Sequence, residues 1–164
     1  MELRKSALVG YSAESMFDLI EAAEHYPAFL PWCAGATILM RDENVVVANI
    51  AVDYHGLRFK FTTRNPKRRP EWLAVTLDRG PFRRFEGEWQ IRSLAAAACK
   101  IEFTFRYEFD VALARSLASP VFDRIANSFV DAFVARAQST VDTHSATRSD
   151  PAAPLTPGGD SNER

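Results

Sequence analysis

The side chains that could do acid–base, metal or nucleophilic chemistry are scattered along this chain. Its three histidines, His25, His55 and His144, lie far apart, and its two cysteines, Cys33 and Cys99, match no zinc spacing. A metal centre needs ligands at convergent spacing, so none is expected. There is no Gly-x-Ser-x-Gly elbow and no Cys–His arrangement that suggests a nucleophile. Gly80 and Gly87 do not form a phosphate cradle; they read as turn and bulge glycines that let a sheet bend. Asp53, Glu86, Glu88 and Glu102 alternate onto the polar side of their strands, so no inward acid–base pair is indicated. The expectation is a protein without a catalytic residue. What the chain does possess is aromatic bulk. Tyr26, Phe29, Trp32, Phe59, Phe61, Trp89, Phe103, Phe105, Phe129 and Phe133 are the candidate ligand-binding residues. The chemistry they offer is burial of an apolar molecule, at about 0.8 kcal/mol per CH₂. Tyr26, Trp32 and Trp89 add polar tips to that set.

The elements that would position these rings are legible from periodicity. From Cys99 to Val111 the residues alternate, with Ile101, Phe103, Phe105, Tyr107 and Phe109 on one face and Lys100, Glu102, Thr104, Arg106 and Glu108 on the other. A period of two marks a half-buried antiparallel strand. The period then changes to helical. Val121, Phe122, Ile125, Ala126, Phe129, Phe133, Ala137 and Val141 form one stripe of a helix beginning near Leu113–Pro120 and ending near Val141. Earlier strands are expected at Glu2–Val9, Ala36–Arg41, Val45–Tyr54, Leu57–Arg64, Trp72–Arg79 and Phe85–Arg92. Ser12 is placed to cap a short helix, and the prolines at 27 and 31 limit the next one. The fold class is therefore α+β: a curved antiparallel sheet of about seven strands around a long C-terminal helix, the helix-grip arrangement. The inward rings either fill the space between sheet and helix or line a cavity there.

Composition bounds the remaining choices. At 164 residues, 47% of them hydrophobic, the chain is one domain with room for a core. A net charge of −1 gives no global field for DNA. The first six residues contain Glu2, Arg4 and Lys5 and form no leader, and no window is apolar enough to span a bilayer. The expected location is the cytoplasm, with its two thiols free. The domain is expected over residues 1–142. The Ser-, Pro- and Gly-rich stretch 143–164 is expected to be a disordered tail.

One cluster is basic. Arg64, Lys67, Arg68 and Arg69 surround Asn65-Pro66, read as a hairpin tip, while Arg79, Arg83 and Arg84 flank the next connection. If both hairpins point the same way, these cations form one rim suited to ribosomal RNA or anionic lipid head groups. Little exposed aromatic surface accompanies them, which argues against a sequence-specific RNA reader.

Four segments sharpen the reading: His25-Tyr26-Pro27-Ala28-Phe29-Leu30-Pro31-Trp32-Cys33, Phe61-Thr62-Thr63-Arg64-Asn65, Gly80-Pro81-Phe82-Arg83-Arg84-Phe85-Glu86-Gly87-Glu88-Trp89, and Ala132-Phe133-Val134-Ala135-Arg136-Ala137. In order and spacing they resemble the coenzyme-Q-binding and ribosome-association-toxin family of the START-like polyketide cyclase/dehydrase superfamily. The resemblance runs from about Met1 to Val141. It implies a ligand cavity between sheet and long helix. It also implies ubiquinone or a related isoprenoid lipid as ligand, in support of respiration; peripheral contact at the inner face of the membrane is the expectation that goes with the lipid reading of the basic rim. The alternative it implies is a toxin that binds the large ribosomal subunit and blocks subunit joining. A cyclase-type enzyme is the third. No cofactor is implied beyond the quinone as a bound ligand.

Overall fold

A computed structural model describes residues 1–114 and 118–147, with side chains described as far as residue 140. Seven strands form one antiparallel sheet: β1 (Glu2–Val9), β2 (Cys33–Arg41), β3 (Val45–Tyr54), β4 (Leu57–Arg68), β5 (Trp72–Arg79), β6 (Phe82–Ala95) and β7 (Ala98–Phe109). Their order is β1-β7-β6-β5-β4-β3-β2, so β2 to β7 form a meander and β1 closes onto β7. Among the described residues three helices accompany the sheet: α1 (Ala13–Glu21), α2 (Val111–Ala114) and α3 (Ala118–Thr147). A 3₁₀ segment over Ala23–Ala28 carries Pro27. The curved sheet wraps α3, as the alternating and helical periods require.

Each helix has a local cause. Ser12 Oγ accepts the Ser15 N–H at 3.1 Å and caps α1, whose Ala13, Met16, Phe17 and Ile20 face inward at helical spacing. Asp110 ends the last strand. Its carboxylate accepts the Leu113 N–H at 3.0 Å and its carbonyl accepts the Ala114 N–H, which starts α2. Val111 consequently leaves the inward series that alternation gave it and stands 57% exposed. The rest of that series, Cys99 to Phe109, is buried. Phe122, Ile125, Ala126 and Phe133 of α3 are buried opposite it, and Val130, outside the expected stripe, joins them.

Three strands outrun their expected ends. β2 starts at Cys33 rather than Ala36, and bulges near Gly35 and Leu39 bend it. β6 spans Phe82–Ala95 rather than Phe85–Arg92. β4 continues through Asn65-Pro66 to Arg68, so that dipeptide is not a hairpin tip. The β4–β5 ladder registers Arg64 with Thr76 and Lys67 with Leu73, bridging a proline that has no N–H to give. Helix α3 also passes the expected boundary at 142, since no proline occurs between Val121 and Thr147. Residues 148–164 of the expected tail lie outside the described residues.

Gly80 turns β5 into β6 at a φ of 155°, and a Cβ there would sit 2.6 Å from Phe61 Cβ. Only glycine allows that close crossing. Cys33 and Cys99 are free and buried, and burial pushes the Cys33 thiol up to about 11. Among the described residues, no helix is long and apolar enough to cross a membrane.

Candidate functional site

The space between the inner sheet face and α3 is occupied mainly by rings. Two aromatic layers meet there. Phe82 stacks on Phe109 with centroids 4.7 Å apart, and Phe59, Phe61, Phe85 and Phe122 surround that pair. Trp89 stacks on Phe103 at 4.5 Å, and Phe129 and Phe133 cover them from α3. Edge-to-face and offset contacts of this kind are the favoured geometries.

Between the layers remains an apolar cavity of about 80 Å³. Of the ten candidate aromatics, Tyr26, Trp32, Phe61, Trp89, Phe103, Phe105 and Phe129 line it. Phe29, Phe59 and Phe133 do not. Phe29 packs on Tyr26 and Phe133, Phe59 sits within the other aromatic layer, and Phe133 is completely buried behind Phe129. The rings therefore do both things: most of the space is filled, and a small remainder is lined. A volume of 80 Å³ is below the roughly 300–1,000 Å³ of common ligand pockets.

Two lining residues are polar and were missing from the aromatic set: Thr63 and Asn65, both buried. Alternation within the expected strand puts Thr63 on the same face as Phe59 and Phe61; Asn65 continues that face only because β4 runs past its expected end at Arg64. Tyr26, taken as a polar handle, is already engaged. Its hydroxyl donates to the Ile20 carbonyl, and burial holds its phenol far above the ordinary value. Asp53, Glu86, Glu88 and Glu102 point outward as expected; Asp53 meets Arg58 at 3.2 Å and Glu86 meets Arg84 at 2.6 Å. Among the described residues no three His, Cys, Asp or Glu side chains gather into a metal site.

Gly87 gives this wall its shape. A Cβ there would lie 3.2 Å from the Phe103 ring and 3.4 Å from Phe105. The open side of Phe103 is the cavity, so the ring can give way inward. Gly87→Ala is expected to cost about 1 kcal/mol, the low end for an added methyl group, while narrowing the cavity. The check is a denaturant melt alongside titration with a small apolar probe; unchanged probe affinity would show that Phe103 does not yield.

The basic cluster is not one rim. Successive hairpins of a meander lie at opposite ends of the sheet. Arg68 pairs with Trp72 at one end, whereas Arg79 pairs with Thr62, six residues back along β4 and roughly 20 Å away. Most of the cations are also engaged. Arg68 meets Glu71 at 3.4 Å, Arg69 meets Asp18 at 2.8 Å, Arg83 meets Glu108 at 3.3 Å and Arg84 meets Glu86. Lys67 lies on the inner face, 10% exposed, with its ammonium 3.1 Å from Glu21. Arg64 stands exposed in the middle of the outer face.

Known proteins share this architecture. The family described as polyketide cyclase/dehydrase and lipid transport matches residues 9–134. A protein of Pseudomonas aeruginosa named ribosome association toxin RatA is 35% identical over 136 residues, covering 83% of this chain and 94% of that one. The mitochondrial coenzyme Q-binding protein COQ10 homolog B of Xenopus laevis is 26% identical, over 81% of this chain and 56% of its own. The crystal structure of the Zhui aromatase/cyclase from Streptomyces superposes with a TM-score of 0.70 at 16% identity, covering 86% of this chain and 95% of that one, a likeness of fold. On the strength of the family match and the similarity along nearly the whole sheet and helix, the chain belongs to the START-like polyketide cyclase/dehydrase and lipid transport family, alongside the ribosome association toxins and, at greater distance, the coenzyme Q-binding proteins.

Proposed function

We propose that this protein associates with the ribosome and interferes with subunit joining, with the large subunit as its partner. The observation that carries this reading is the extent of the likeness to the P. aeruginosa toxin, 35% identity across 94% of that protein. The test is sucrose-gradient sedimentation of purified subunits under conditions that allow joining. Added protein should lower the joined-ribosome peak and travel with the large subunit. A protein that stays at the top of the gradient while the joined peak is unchanged would overturn the reading.

A second reading is supported by the apolar cavity: binding of a hydrophobic ligand, with an isoprenoid quinone as the specific candidate. At about 80 Å³ the cavity needs Phe103 and Phe129 to move aside before such a molecule fits. Phe103→Leu should therefore raise affinity for a short-chain ubiquinone, followed by quenching of tryptophan fluorescence. Absence of saturable quenching in both proteins would exclude the quinone.

A further inference from the structure

Along the inner face of β4 the side chains change character in steps of two. Leu57, Phe59 and Phe61 are apolar, Thr63 and Asn65 are polar and uncharged, and Lys67 is charged and bonded to Glu21. Residues two apart on a strand face the same side about 7 Å apart. The cavity reaches from Phe61 to Asn65, so one end of an otherwise apolar space is polar. Asn65 is 8% exposed, and among the described residues no group donates to its buried Oδ1. Buried amides almost always have partners, because an unpaired one forfeits its hydration for nothing. An apolar residue of similar size at position 65 would avoid that penalty.

We propose that Asn65, with Thr63 beside it, is the polar recognition point of the cavity, and that the ligand is a small hydroxylated aromatic. Its ring would take the apolar space beside Trp89, Phe103 and Phe129, and its hydroxyl would donate to Asn65 Oδ1. This assignment rests on the ligand-binding reading above. A donor is specified because the orphaned atom is an acceptor. A ring is specified because the walls are aromatic faces; it needs a smaller shift of Phe103 and Phe129 than a long chain would, since about 80 Å³ falls short of the roughly 150 Å³ that admits benzene. The head group points toward Lys67 and Glu21, where β4 leaves the core for the charged surface.

The test uses two near-isosteric probes, p-cresol and 4-fluorotoluene, which differ in the hydroxyl donor. Both are titrated into the full chain, with the indole N–H signals of the tryptophans followed by NMR. Asn65→Leu should weaken p-cresol relative to 4-fluorotoluene by about tenfold, the scale of one buried hydrogen bond. The same variant should melt no lower than the parent, since an orphaned group has been removed. Asn65→Ala and the isosteric Thr63→Val provide the comparison if leucine impairs folding, with a shift in the same direction. An unchanged p-cresol preference in these variants overturns the role of Asn65 and leaves the cavity reading standing. If neither probe binds the parent protein, the cavity reading itself falls.

Discussion

Phe133→Ala is expected to lower stability by about 3–5 kcal/mol, and Phe129→Ala, one helical turn away, by about 1–2 kcal/mol less. Phe133 is completely buried. Its ring meets Phe129 at 4.9 Å, Phe29 at 5.2 Å, Tyr26 at 5.3 Å and Trp89 at 5.4 Å. Removing it deletes contacts on every side and opens a void among rings that cannot collapse, because each is held by others. Phe129 also touches Trp89 and Phe103, but part of its surface already faces the cavity, so less is lost. Urea melts of the two variants, compared at equal slope, measure the difference. Equal losses would mean that the space beside Phe129 is as tightly packed as that around Phe133, and the cavity would lose its standing as a site.

That contrast also marks what could be read before any coordinates. The β7 face and the α3 stripe follow from period alone, since a half-buried strand and an amphipathic helix each impose one arithmetic on their apolar residues. Val45–Tyr54 and Trp72–Arg79 match their strands end to end for the same reason. What period cannot convey is volume. Ten aromatics aimed inward are compatible with a packed core or a tunnel, and the outcome depends on ring-to-ring geometry across elements far apart in sequence. Proline misled at one point: Asn65-Pro66 has the composition of a turn, yet β4 carries it because the adjoining ladder needs no N–H there. Treating that dipeptide as a tip moved Lys67 to the surface and hid the inward parity of Asn65. The basic rim failed for a topological reason, since consecutive hairpins in a meander alternate ends. The apolar side of the site was thus open to sequence reasoning, and its polar end was obscured by one misplaced turn.

The polar end gives the second large effect. Glu21→Ala is expected to cost about 2 kcal/mol, between the values for exposed and fully buried pairs. Glu21 closes α1, and its Oε1 accepts from Arg41 Nε at 2.7 Å and from Lys67 Nζ at 3.1 Å, with its side chain 14% exposed. Removing it leaves the Lys67 ammonium, only 10% exposed, without its counter-charge, which is the costly half of breaking a partly buried pair. Arg41 keeps its two bonds to Glu24, at 2.9 and 2.6 Å, so its loss is smaller. Replacing both partners, as Glu21→Leu with Lys67→Met, should recover most of the stability, and a double-mutant cycle would read the coupling directly. Acid provides an independent handle on the same cluster. The hydrogen bond from Arg41 holds the Glu24 carboxyl below its ordinary 4.5. A carboxyl lowered by folding stabilises above its unfolded value, and that contribution disappears as pH falls through the folded one. Melting temperature should therefore begin to drop as pH is taken below about 4.5, and Glu24→Gln should flatten that part of the profile. A Glu21→Ala protein as stable as the parent, or a double variant no better than the single, would show that Lys67 reaches water and that the charged cluster does not close the polar end of the core.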